Sequence, residues 1–163
     1  MDLPKRYLSD AREGQFPGLR RDDYRVMSDA DEKYNCIAHA AGINTIPWWP
    51  EEISTEEVFW PPGVPREVTI AAFVAAFAFV GYRPCEPAED GPAHLPGFEK
   101  IAIYLDRNGV PLHAARQTDD GTWTSKLGRW EVIQHKTLES LSSGEDESRG
   151  YGTPSMFLIR KVP

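Results

Sequence analysis

Lys100-Ile101-Ala102-Ile103-Tyr104-Leu105, then Arg107-Asn108-Gly109, then Val110 to Gln117, is the stretch that decides the fold. Two runs of strand-forming residues flank an Asn-Gly pair, which tolerates the positive φ of a tight hairpin turn, so an antiparallel pair is expected. Asp119-Asp120-Gly121 turns the chain again, into Thr122-Trp123-Thr124-Ser125-Lys126-Leu127. Trp130 to Ile133 reads as a further short strand and Ser155 to Lys161 as a last one, with Ser142 to Gly152 an exposed polar loop between them. Strands that follow one another without helical crossovers give an antiparallel sheet.

Upstream the pattern is helical. Asn35 is a good N-cap, with Cys36 in the first turn and Gly42 as the stop. A second helix is expected from about Arg66 to Val80; it has no polar face, which indicates burial, and Gly81 follows it. From Pro47 to Pro65 lies an excursion rich in aromatic residues and proline, read as an ordered loop because proline fixes φ and interrupts helix. Residues 1–33 are polar and aperiodic, an arm laid over the surface with Phe16-Pro17-Gly18-Leu19 as its apolar foothold. The expected architecture is one α+β domain: the arm, a helical part over 34–81, and an antiparallel sheet over 98–163.

Composition narrows the function. The chain has 163 residues, 40% hydrophobic and 26% charged, as for a globular domain large enough to bury a core. A formal net charge of −7, with Lys and Arg scattered among acids, argues against nucleic acid as a partner. No apolar run approaches the roughly 20 residues of a membrane helix. The N-terminus carries no secretory h-region, so a cytoplasmic location is expected, with export by a route that needs no cleavable signal left open. Two cysteines, Cys36 and Cys85, are too few for a disulfide framework. The glycines lack dinucleotide and Walker spacing, and no cofactor is expected.

Cys36 is the candidate nucleophile. At a helix start, unpaired backbone N–H groups and the dipole favour a thiolate and supply oxyanion donors, here the Cys36 N–H with the Asn35 side chain as helper. A buried structural cysteine in an Ala-rich helix is the competing reading. Of four histidines, His94 lies in a Pro/Gly loop, His135 ends a strand where a histidine caps or solvates the chain, and His39 shares the Cys36 helix. His113, mid-strand, is the candidate base. A type I turn with a Gly bulge at Thr118–Thr122 would put His113, Ala115, Gln117, Trp123, Ser125 and Leu127 on one face, with Ser125 or Gln117 orienting the imidazole. Glu131 and Asp106 sit near strand ends as solvated charges. Cys36, His39, His113 and His135 are a minor zinc alternative, lacking CxxC or HxxxH spacing. Trp48, Trp49 and Trp60 are candidates for a substrate-groove wall or lid, or else clip the loop onto the core.

The stretches Tyr34-Asn35-Cys36-Ile37-Ala38-His39-Ala40-Ala41-Gly42, Trp48-Trp49-Pro50, Trp60-Pro61-Pro62-Gly63, His113-Ala114-Ala115-Arg116-Gln117 and Trp123-Thr124-Ser125-Lys126-Leu127-Gly128 resemble an uncharacterised bacterial domain-of-unknown-function family, nearly end to end. The order of elements (Cys at a helix start, His on a strand, a polar residue on the next) is also similar to papain-like cysteine hydrolases. That likeness implies chemistry on an amide, isopeptide or glutamine side chain of a protein or peptide substrate. Relatives carry Trp where this chain has His39, which implies that His39 is not a shared catalytic group. The alternative is a non-catalytic interaction module of toxin-effector or immunity type that uses the aromatic loop.

Overall fold

The structure is a computed structural model that describes residues 6–52 and 57–163. Residues 1–5 of the expected arm and 53–56 of the Pro47–Pro65 excursion lie outside the described residues. Among the described residues are three α-helices, α1 (Asp10–Glu13), α2 (Cys36–Ala41) and α3 (Ile70–Ala78). Seven strands form one sheet: β1 (Tyr24–Val26), β2 (Arg83–Pro84), β3 (Phe98–Leu105), β4 (Pro111–Gln117), β5 (Trp123–Lys126), β6 (Val132–His135) and β7 (Thr153–Lys161). Their order is β1-β6-β5-β4-β3-β7-β2, and every neighbouring pair is antiparallel. No helix is long and apolar enough to cross a membrane among these residues.

Two local signals set the register. Gly109 takes φ 79° after Asp106, whose carboxylate accepts from Asn108 N (2.8 Å) and Val110 N (3.0 Å). Thr118 N donates to Thr122 O (2.8 Å) and Gly121, at φ 87°, donates to Thr118 O, which sets Gln117 opposite Trp123. This is the expected bulged turn. β7 then returns between β3 and β2 and pairs with β3 over the whole of that strand.

Both sheet faces are buried. Ile101, Ile103, Ala114 and Leu158 face α2 and α3, joining Ile37, Ala38, Phe73 and Phe77. Ala102, Tyr104, Ala115, Trp123 and Ile133 face the other way, under Leu8, Phe16, Leu19, Leu138 and Leu141. Burial on both faces explains why β3 reads as an unbroken apolar run rather than an alternating one. It also corrects the reading of the N-terminal arm: beyond covering the surface, its described part, residues 6–33, supplies the second apolar layer and an edge strand, with Tyr24 opposite His135. The second helix begins later than expected, at Ile70, because Thr69 caps it by accepting from Ala72 N. Nor is it buried all round: Phe79, just past its end, is 57% exposed.

The Asn35 carboxamide joins α2 to the aromatic loop. Its Oδ1 accepts from Ala38 N (3.1 Å) and Trp48 N (3.0 Å), and its Nδ2 donates to Trp48 O (2.9 Å). A lost cap costs about 1 kcal/mol and each further hydrogen bond about the same. Asn35→Ala is therefore expected to lower unfolding free energy by about 2–3 kcal/mol in urea titration. A loss no larger than an exposed surface substitution would show that the clamp is not needed.

Candidate active site around Cys36 and His113

Cys36 is the first residue of α2, which packs on β4 and β5. The β4–β5 ladder consists of Arg116 opposite Thr124 and Gln117 opposite Trp123; beyond it β5 continues against β6 through Ser125 and Lys126. A seam therefore opens in the sheet beside Ala114, and the Cys36 side chain sits over it, 8% exposed. Burial pushes the thiol up to about 11, while the backbone N–H groups of Ala114, Ile37 and Cys36, then the Lys126 charge, pull the other way. Lys126 is itself buried, donating to Asp31 O (2.6 Å) and Gly128 O (2.7 Å) with its Nζ over the Tyr34 ring. Desolvation lowers its pKa.

His113, expected to pack toward the Cys36 helix, lies instead on the opposite face of the sheet. Strand alternation turns Ala114 toward α2 and turns His113 and Ala115 away from it, with His113 opposite Tyr104. The imidazole is fully buried and stacks on Tyr151, ring centroids 4.1 Å apart and planes 2° from parallel. Among the described residues neither ring nitrogen has a hydrogen-bond partner, so no hydrogen bond joins His113 to Cys36. Burial, then the neighbouring imidazoles of His135 and His39, hold its pKa well below the usual histidine value. Tyr151 lies between two glycines of positive φ, Gly150 and Gly152, and faces a surface cleft of about 220 Å³ lined also by Arg12, Leu127 and Trp130. It covers the base.

The remaining candidates divide. Ser125 and Gln117 lie on the His113 side of the sheet, as the register required, but neither touches the imidazole. Ser125 Oγ is 2.8 Å from His135 Nε2, and Gln117 Nε2 donates to Pro92 O (2.9 Å) and Gly121 O. Trp48 and Trp60 are in the core, Trp60 donating to Pro65 O, while Trp49 is partly exposed with its ring edge on Phe73. Glu131 pairs with Arg12 (3.0 Å), and His94 is exposed. The four side chains of the zinc alternative do not converge: His39 bonds Thr124 Oγ1 (3.0 Å) and His135 turns to Ser125 and Thr137. Of the two roles expected of His135, solvation is wrong, whereas its ring does bond the Thr137 main-chain carbonyl. His135 is wholly buried, because pairing with Trp123 and Tyr24 on its two sides puts it on the same face as those rings. The β5–β6 register was the signal that could have found it.

Burial also sets the response to acid. Desolvation lowers His39 to about 4, helped by Arg116 and Lys126; it lowers His135 to about 4 against the opposing Thr137 carbonyl and Asp22. Below pH 6.5 the unfolded chain binds more protons than the native one, so stability is full above that value and lost as pH falls toward 4. Each ring contributes of order 3 kcal/mol by this linkage. The urea midpoint is expected to fall across that window, and to fall less steeply in His135→Gln. An unchanged slope in the variant would contradict a buried neutral His135.

No curated protein and no solved structure is matched by the chain. A family model described as a domain of unknown function, DUF7689, matches residues 25–159, a span that includes Cys36, the seam and His113. The chain belongs to that family.

Proposed function

We propose that the chain is a papain-like cysteine hydrolase or acyltransferase that rests in a closed form, acting on an amide, isopeptide or glutamine side chain of a protein or peptide. The observation that carries this reading is the setting of Cys36. It is the first residue of an Asn-capped helix, and its thiol is influenced by the backbone N–H of Ala114, the neighbour of His113 in the strand. In the reaction His113 takes the Sγ proton as sulfur attacks the carbonyl carbon. The Cys36 N–H, with the Asn35 side chain as helper, would stabilise the oxyanion. The C–N bond breaks as the leaving amine takes the proton from His113. Water, or an acceptor amine, then attacks the thioester and returns the proton to sulfur.

In the closed form this chemistry is held back by burial of both groups: the thiol stays protonated and Tyr151 covers the base. Substrate entry through the cleft beside Trp130 would displace Tyr151 and close the gap between Sγ and the ring. Two free thiols suit action in the reducing cytoplasm. The same closed geometry favours a second reading, a non-catalytic interaction module in which Cys36 is structural.

Iodoacetamide alkylation separates the two, measured at pH 7 in a Cys85→Ser background. Tyr151→Ala is expected to raise the Cys36 rate about tenfold or more, and His113→Ala added to it to remove the gain. Tyr151→Leu, which keeps apolar bulk, guards against simple loss of fold. A Cys36 rate that stays at the parent level in both folded Tyr151 variants leaves the structural reading.

A further inference from the structure

Lys126 is fully buried on the face of the sheet that α2 covers. Strand alternation sends Trp123 and Leu127 to the other face and leaves Thr124 and Lys126 on this one, where Thr124 Oγ1 meets His39 of α2 at 3.0 Å. The segment leading into the helix holds the ammonium: Nζ donates to Asp31 O (2.6 Å) and lies over the Tyr34 ring, 4.8 Å from its centroid. A second hydrogen bond goes to Gly128 O (2.7 Å). Both acceptors are neutral. The two carboxylates that sense the charge are turned to other cations, Asp31 to Lys33 (3.7 Å) and Glu131 to Arg12 (3.0 Å). A buried ammonium without an anion of its own is costly. The remaining acidic group that faces it is the Cys36 thiol, while His39, the other titratable group on α2, is a neutral base held uncharged by burial. Lys100 makes the contrast. It too is buried and clamps two carbonyls, Glu89 O (2.5 Å) and Ala93 O (2.6 Å), but on the sheet face of Ala102 and Tyr104, away from the thiol.

We infer that Lys126 is the resident counter-ion of the Cys36 thiolate, a fixed positive charge on the thiol's own face of the sheet. The two groups act on one another: the ammonium favours ionised sulfur, and the charge on sulfur favours the ammonium. No hydrogen bond joins them among the described residues, and none is needed, because attraction between unit charges in a desolvated site reaches beyond contact distance. The inference rests on Cys36 being the nucleophile. When His113 takes the Sγ proton, Lys126 stays an ammonium throughout and neither gains nor loses a proton. Its charge offsets part of the cost of leaving an anion on buried sulfur. Held by two carbonyls and a ring, it is already in place before the thiolate forms, so no reorganisation accompanies ionisation.

The pH profile of Cys36 alkylation by iodoacetamide tests this in the full-length Cys85→Ser, Tyr151→Leu chain. Lys126→Met keeps the stem and removes the charge. It is expected to raise the midpoint of the profile by about one pH unit and to slow the reaction at pH 8 about tenfold, with the plateau rate at high pH unchanged. Lys126→Arg keeps the charge and should return the midpoint toward the parent value. Lys100→Met removes the other buried clamp and should leave the midpoint where it was. An unmoved midpoint in folded Lys126→Met overturns the inference. Reciprocity supplies a second measurement that leaves Lys126 intact. In the Cys85→Ser chain with 13C-labelled lysine, Cys36→Ser is expected to move the titration of the Lys126 Cε signal to lower pH, because serine stays neutral. A Lys126 titration identical with and without Cys36 overturns the inference equally. The failures are separable. If Cys36 stays inert in both Tyr151 variants while Cys36→Ser shifts Lys126, the hydrolase reading fails and the pairing stands. If Cys36 reacts with His113 dependence while Lys126 ignores Cys36→Ser, the pairing alone is lost.

Discussion

The three hydrogen bonds of the Asn35 carboxamide are the constraint on which the rest of the site depends. α2 has six residues, too few to persist by its own backbone bonds. Asn35 stops it at its N-terminus and holds Trp48 by both main-chain groups, so helix start and aromatic loop are one rigid unit. Trp48 and Trp60 then anchor that unit among Ile37, Phe73 and Phe77. The consequence is positional: the first side chain of α2 is held against the sheet beside the Ala114 main chain.

That position sets a contest between two effects on the thiol. A helix start is worth about 0.3–1 kcal/mol to a nearby anion. Raising the thiol from its ordinary 9.0 to about 11 corresponds to about 3 kcal/mol in the opposite direction. Desolvation wins, so what decides whether Cys36 is a nucleophile is access to solvent or substrate, and the helix contributes only once access exists. His113 obeys the same rule from the other face, where Tyr151 excludes water from it. Burial thus favours the neutral form of both thiol and imidazole.

What could be read from residues alone was local. Asn-Gly at 108–109, the bulged turn at Thr118–Thr122 and the Asn35 cap each encode geometry within a few residues, and each is present in the structure. Long-range facts escaped. β7 pairs along β3 across an intervening stretch of about fifty residues, and nothing within either strand specifies its partner. Which face His113 takes relative to α2 depends on where the helix docks, so strand alternation alone put Ser125 and Gln117 on the His113 face but could not tell that this face turns away from Cys36. His135 was set aside and Tyr151 not singled out because both come from segments that read as polar edges, and only the β1 strand and the N-terminal layer bury them.

A crystal structure of the Tyr151→Leu chain, giving the separation of Cys36 Sγ from the nearer His113 ring nitrogen, tests the pairing across the seam most directly. With the stacked ring gone, the imidazole is expected to turn into the β4–β5 opening and come within about 4 Å of sulfur, the looser end of reach for an unliganded dyad. A His113 ring still in its original plane, with sulfur enclosed by apolar side chains and no path between them, would contradict it.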